Sequence, residues 1–80
     1  MNVDTRGFTH ELEGKRLRIH FTDGEVAVVR LLSVDYCEEH EDECGIIYDI
    51  ISTNRPERLR PGSANWSEFK NVASLEVLGD

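Results

Sequence analysis

The stretch Arg16–Asp35, RLRIHFTDGEVAVVRLLSVD, predicts two β-strands joined by a tight turn at Asp23-Gly24. Apolar side chains alternate with polar ones before the turn, at Leu17, Ile19 and Phe21. A period of two places such side chains on one face of a sheet. Asp-Gly is favoured in two-residue type I′ turns, which need positive φ at both central positions. The stretch therefore predicts a β-hairpin.

The composition predicts one small globular domain. The chain has 80 residues, 39% of them hydrophobic, and a formal net charge of −7. A chain of this length forms a single domain, residues 1–80, with a small core. Six acids lie between Asp35 and Glu43, so the rest of this acidic protein is nearly neutral. The acidic balance argues against general affinity for nucleic-acid phosphates, although it is compatible with a local basic face.

Two further classes of protein are disfavoured by the sequence. No apolar run reaches the roughly 20 residues of a membrane-spanning helix, and the N-terminal residues lack the pattern of a signal peptide. We therefore expect a cytoplasmic protein that does not bind membranes. No Gly-x-Ser-x-Gly, phosphate-binding glycine loop or His-Glu-x-x-His motif occurs, so we expect no enzymatic activity and no cofactor.

Local sequence patterns predict the other segments of the fold. Phe8 and Leu12 lie before Gly14, in a short helix or in a loop that buries Phe8. The second to fifth strands are predicted at 25–36, 45–53, 66–69 and 74–78, with a loop over 54–63. Five short strands predict an all-β small barrel, because closing the sheet removes exposed edges.

The middle strands are apolar on both faces. In the second strand we expect the even-numbered residues, such as Val28 and Leu32, to face the core. The odd-numbered positions are also apolar, so a second apolar face must be covered by the N-terminal segment or by another subunit. We therefore predict a homo-oligomer. The predicted oligomer face consists of Ala27, Val29, Leu31, Ile47 and Ile51.

Two blocks of the chain resemble the signatures of the Sm-like fold. The first is Gly14–Asp35, with its apolar alternation, Asp23-Gly24 and an Asp eleven residues beyond that glycine. The second is Phe69-Lys70-Asn71-Val72 followed by Ser74-Leu75. The resemblance implies a small five-stranded barrel and RNA contacts at Asp35, Lys70 and Asn71. Src-homology-type barrels share the five strands and the turn before the last strand, so they are the rival assignment.

The polar segment between the second and third strands contains three potential zinc ligands, Cys37, His40 and Cys44. Zinc takes four ligands in a tetrahedron, and this spacing is not that of the usual paired knuckles. We therefore expect a solvated acidic loop and no metal site. A disulfide between the two cysteines is geometrically conceivable, although a reducing cytoplasm opposes it.

The loop over 54–63 carries Arg55, Arg58 and Arg60, and Trp66 follows it. Such a group is able to bind a base or an anionic partner, but we favour ion pairs with nearby acids. We expect Trp66 to lie in the core. Together these features predict a non-enzymatic interaction module that self-assembles and is able to bind a protein partner. The alternative is an Sm-like RNA-binding ring protein.

Overall fold

The structure is a computed structural model that describes residues 6–35, 44–59 and 64–79. It confirms the all-β class: the described residues form one five-stranded antiparallel sheet and no α-helix. The strands are β1 (Arg16–Phe21), β2 (Val26–Asp35), β3 (Gly45–Thr53), β4 (Asn65–Glu68) and β5 (Val72–Gly79). Single 3-10 turns lie at η1 (His10–Leu12), η2 (Pro56–Arg58) and η3 (Phe69–Asn71).

The strands lie in the order β4-β3-β2-β1-β5. Within the described ranges, β4 pairs with β3 and β5 pairs with β1, so these two strands form the edges of the sheet. The sheet is not closed there, and the predicted barrel is not confirmed. No helix in these ranges is long and apolar enough to cross a membrane.

The hairpin of β1 and β2 closes with Phe21 opposite Glu25, so its loop is the three residues Thr22, Asp23 and Gly24 instead of the predicted two. The N–H of Gly24 donates to the carbonyl of Phe21 (3.1 Å), and the N–H of Phe21 donates to the carbonyl of Glu25 (2.8 Å). Gly24 has a φ of +94°, but Asp23 is not among the residues with positive φ. The type I′ assignment is therefore wrong. A turn followed by a left-handed glycine is the usual three-residue hairpin loop.

The core lies on one face of the sheet, where the N-terminal segment also packs. Phe8 is fully buried as predicted, and Leu12 is partly buried against the core. The rings of Phe8 and Phe69 stack with their centroids 6.0 Å apart. The other buried apolar residues are Leu17, Ile19, Phe21, Ala27, Val29, Leu31, Val34, Cys44, Ile46, Tyr48 and Val72.

The faces predicted for β2 are reversed over most of the strand. Ala27, Val29 and Leu31 are at most 1% exposed and belong to the core, so they do not form an outer oligomer face. The register explains the error, because Leu31 lies opposite Tyr48 and Ser33 opposite Ile47. Leu32 is the extra residue of a β-bulge, which changes the phase of alternation. It is 42% exposed, although we expected it in the core.

The inward residues at the two edges also differ from the prediction. Trp66 is 45% exposed, and its neighbour Ser67 is buried in its place. In β5, Val72 takes the inward position at the start of the strand, and Leu75 is partly buried. Val77, two residues further along the strand, is exposed. The strand begins two residues earlier than predicted, directly after η3.

Candidate functional site

A charged clamp connects the β1–β2 loop to the segment that follows β3. Arg55 Nη1 lies 3.1 Å from Asp23 Oδ2, and Arg58 Nη1 lies 2.9 Å from Glu25 Oε1. These two pairs confirm the expectation that the loop arginines pair with acids. Arg60 lies outside the described residues. The clamp fixes the β1–β2 loop against η2.

Glu25 is the buried member of the clamp, with only 1% of its surface exposed. Its Oε2 accepts a hydrogen bond from Thr53 Oγ1 (2.7 Å), while its Oε1 faces Arg58. Both carboxylate oxygens are therefore satisfied, as a buried charge requires. Sequence reasoning missed Glu25, although it stands in phase with the buried odd-numbered residues of β2. Its odd-numbered position was the one feature of the sequence from which its burial could have been predicted.

Asp23 has its carboxylate held by two donors. The N–H of Glu25 donates to Asp23 Oδ1 (3.0 Å), and Arg55 occupies Oδ2. The backbone hydrogen bond, helped by the charge of Arg55, lowers the pKa of Asp23. The side chain is therefore held as a carboxylate at the tip of the loop.

A buried hydroxyl pair joins β3 to β4. Tyr48 Oη lies 2.7 Å from Ser67 Oγ, and both side chains are buried. Burial raises the pKa of Tyr48, although the bond to Ser67 opposes this shift. Ser67 was not recognised from the sequence, because the large Trp66 beside it was expected to point inward.

A polar cavity opens where the β1–β2 loop, η2 and the end of β4 meet. We call it the turn cavity, and its volume is about 200 Å³. It lies beside the charged clamp and the buried hydroxyl pair. The described residues in its walls are Phe21, Thr22, Asp23, Arg58, Ser67 and Asn71.

The three residues that the resemblance assigns to RNA lie in two places. Asp35 lies opposite Gly45, which lies opposite Glu68, so Asp35 is two strand spacings, about 10 Å, from the end of β4. Lys70 lies near that end and pairs with Glu68 (3.0 Å). Asn71 instead lines the turn cavity, and its carbonyl accepts the N–H of Thr22 (2.8 Å).

The potential zinc ligands are described only in part. Cys44 is 1% exposed and disulfide-bonded, so its sulfur is not a thiolate ligand. This differs from the expectation that a reducing compartment would oppose a disulfide. Cys37, the other cysteine of the chain, and His40 lie outside the described residues. The residues that are described contain no group of three side chains suited to a metal ion.

An apolar surface lies on the outer face of the sheet, beside β4. Trp66 lies opposite Ile47, and Ile47 lies opposite Ser33, next to the bulged Leu32. We call Leu32, Ile47 and Trp66 the edge cluster. Ile51, the other outward residue of the predicted oligomer face, is 49% exposed and lies on β3 beyond the end of β4.

The chain matches no protein-family model, no curated protein and no solved structure.

Proposed function

We propose that this chain is a non-enzymatic interaction module, a small β-barrel of the Sm-like or Src-homology type that assembles with copies of itself. The observation that carries the proposal is the pairing of β4 with β3 alone among the described strands, next to the edge cluster. An unpaired strand edge is a template for pairing with another chain. An exposed apolar surface beside it favours burial by that chain.

The barrel is supported by the length of η3. Its three residues connect β4 to β5, the two edge strands, and a 3-10 turn of three residues spans only about 6 Å. The edges of a flat five-stranded sheet would be about 19 Å apart. The N–H of Phe69 contacts the carbonyl of Cys44, and Asn71 contacts Thr22, so the turn reaches from β3 to β1. A strongly coiled sheet satisfies these distances.

Assembly through the edges is supported by the different character of the two edge strands. β4 has four residues and carries Trp66, whereas β5 has eight residues and carries the exposed Val77. Pairing β4 of one copy with β5 of the next is heterologous, and such contacts generate a ring when the rotation closes. The first candidate function is therefore a scaffold built from repeated copies.

RNA binding by an Sm-like ring is the second candidate. It is favoured by the position of Asp35 and Lys70 at the same end of the sheet. It is opposed by local charge, because Asp35 and Glu68 outnumber Lys70 there and repel a phosphate backbone. We therefore rank the scaffold above the RNA binder.

Light scattering coupled to gel filtration tests the assembly. The wild-type chain should have the mass of several copies, and Trp66→Lys should reduce it to one copy, because a charge in the edge cluster opposes its burial. Ile51→Lys is the matched control, since that side chain is similarly exposed but lies beyond β4. It should leave the mass unchanged.

Other outcomes separate the alternatives. A wild-type mass of one chain would contradict the assembly. Dissociation by Ile51→Lys but not by Trp66→Lys would place the contact on the sheet face instead of its edge. Sub-micromolar binding to single-stranded RNA, lost in Asn71→Ala, would reverse the ranking of the two functions.

A further inference from the structure

The turn cavity has hydrogen-bonding groups that no other described residue uses. The side-chain amide of Asn71 and the hydroxyl of Thr22 have no hydrogen-bond partner among the described residues. Arg58 lies in the cavity wall, and its Nη1 donates to the buried Glu25. This hydrogen bond fixes the orientation of the guanidinium group. The cavity therefore offers unused donors and acceptors beside Asp23 and Arg58, whose side chains are held by their own partners.

Among the residues that the structure describes, the charges around the turn cavity cancel. Arg55 pairs with Asp23 and Arg58 pairs with Glu25, so two cations face two carboxylates. The whole chain carries a net charge of −7, which also repels small anions. A free oxyanion would meet Asp23, and a cation would meet Arg58. These charges favour a neutral occupant.

The lining also disfavours an apolar or aromatic occupant. Of the six described side chains that line it, five are polar. The sixth, Phe21, is only 8% exposed, and its ring packs against Tyr48 with the centroids 6.2 Å apart. Because so little of this ring is exposed, it offers little surface for stacking a planar base or an aromatic ring, and such stacking is the usual anchor of these ligands.

A hydroxyl group suits this lining because it both donates and accepts. It is able to donate to Asp23, whose two oxygens retain lone pairs beyond those used by Glu25 and Arg55, and to accept from Arg58. The side-chain amide of Asn71 offers both hydrogen-bond donors and an acceptor. We propose that the turn cavity binds a neutral polyhydroxylated molecule of monosaccharide size, with hydroxyls bridging Asp23 and Arg58 and bonding Asn71.

The size of the cavity limits the ligand to one ring. Its volume of about 200 Å³ lies below the roughly 300 Å³ at which pockets for drug-sized ligands begin. A ligand this small, bound through hydrogen bonds, should have a dissociation constant of about a millimolar. The inference goes beyond the proposed assembly and does not depend on it.

Amide chemical-shift titration of the full chain tests the proposal, with D-ribose, D-glucose and glycerol as probes. At least one probe should give saturable shifts at Thr22, Asp23, Arg58 and Asn71. Inorganic phosphate and adenine should give none there. Absence of saturable shifts with all three polyols at about 100 mM, far above the expected dissociation constant, would overturn the proposal. Preferential binding of phosphate or adenine at these residues would overturn it as well.

Asn71→Ala is the informative variant. It removes the free amide but keeps the backbone carbonyl that accepts the N–H of Thr22, so the loop geometry should persist. We expect the dissociation constant to rise at least about fivefold, as for loss of a single hydrogen bond. Ser52→Ala, at an exposed position of β3, is the control and should bind like the wild type. Equal affinity of Asn71→Ala and the control would contradict the proposed site, whereas the mass of either variant reports on assembly alone.

Discussion

Two regions of the sheet are held together by different means. The β1–β2 loop is fixed to η2 by charged side chains, with the buried Glu25 at the centre of the clamp. The pairing of β3 with β4 instead depends on a missing side chain. A Cβ at Gly45 would clash with the carbonyl oxygen of Ser67. The stability of the first region should therefore depend on side-chain charge, and the stability of the second on side-chain volume at Gly45.

The largest effect is expected from Gly45→Ala. The added methyl group meets backbone atoms of β4, which cannot turn aside as a flexible side chain would. The pairing of β3 with β4 must shift, and we expect the free energy of unfolding to fall by about 3 kcal/mol or more. Urea denaturation followed by circular dichroism measures this change.

Gly24→Ala is the control for this first prediction. Gly24 has a φ of +94°, but a Cβ there meets no atom within 4 Å. Only backbone strain remains, and it should cost about 1 kcal/mol. If Gly24→Ala is as harmful as Gly45→Ala, the close approach of β4 does not determine the stability of that edge.

A smaller effect is expected from Arg58→Met, which removes the counter-charge of the buried Glu25. Because the side chain of Arg58 is 34% exposed, solvent moderates the loss, and we expect about 2 kcal/mol. The double variant Glu25→Gln/Arg58→Met should lose less than Arg58→Met, because no buried charge is left unpaired. Thermal and urea unfolding measure both.

Arg55→Met is the matched control for the clamp. Its partner Asp23 has about half of its side chain exposed, and surface pairs of this kind contribute under about 1 kcal/mol. Equal losses from Arg55→Met and Arg58→Met would show that the burial of Glu25 does not set the strength of the clamp.

The last prediction concerns Tyr48 and alkaline pH. The pKa of Tyr48 is raised by burial, so the folded protein favours the neutral phenol. This contribution is complete below the unfolded pKa of about 10 and is lost as the pH rises through the higher folded pKa. Tyr48→Phe should lose about 1 kcal/mol at neutral pH, because Ser67 loses its partner. Its stability should then fall less than that of the wild type between about pH 9 and pH 11. Parallel slopes in that range would contradict the prediction.

The sequence predicted the elements better than their faces. The hairpin at Asp23-Gly24 and the third strand at 45–53 were predicted from local rules, and the structure agrees with them except for the turn type. The bulge at Leu32 is a feature of the pairing between β2 and β3, and the local sequence pattern of β2 does not predict it. One extra residue moved Ala27, Val29 and Leu31 from the predicted outer face into the core.

The candidate site was less predictable than the fold. Arg55 and Arg58 were correctly expected to pair with acids, but their partners lie 32 and 33 residues away. The turn cavity forms only because the β1–β2 loop, η2 and η3 lie next to one another. Their proximity is set by the topology of the sheet and not by any local sequence pattern. The burial of Ser67 was not predicted, because hydrophobicity alone favoured the larger Trp66 for the core position.

The place of β5 in the sheet has a consequence for the order of folding. Each of β1 to β4 pairs with a neighbour in sequence, and such local contacts form quickly. β5 pairs with β1, so that Arg16 lies opposite Gly79 across almost the whole chain. Until this last strand docks, the edge of β1 stays open to strands of other molecules. Newly made chains are therefore most exposed to mispairing in the interval before β5 is available.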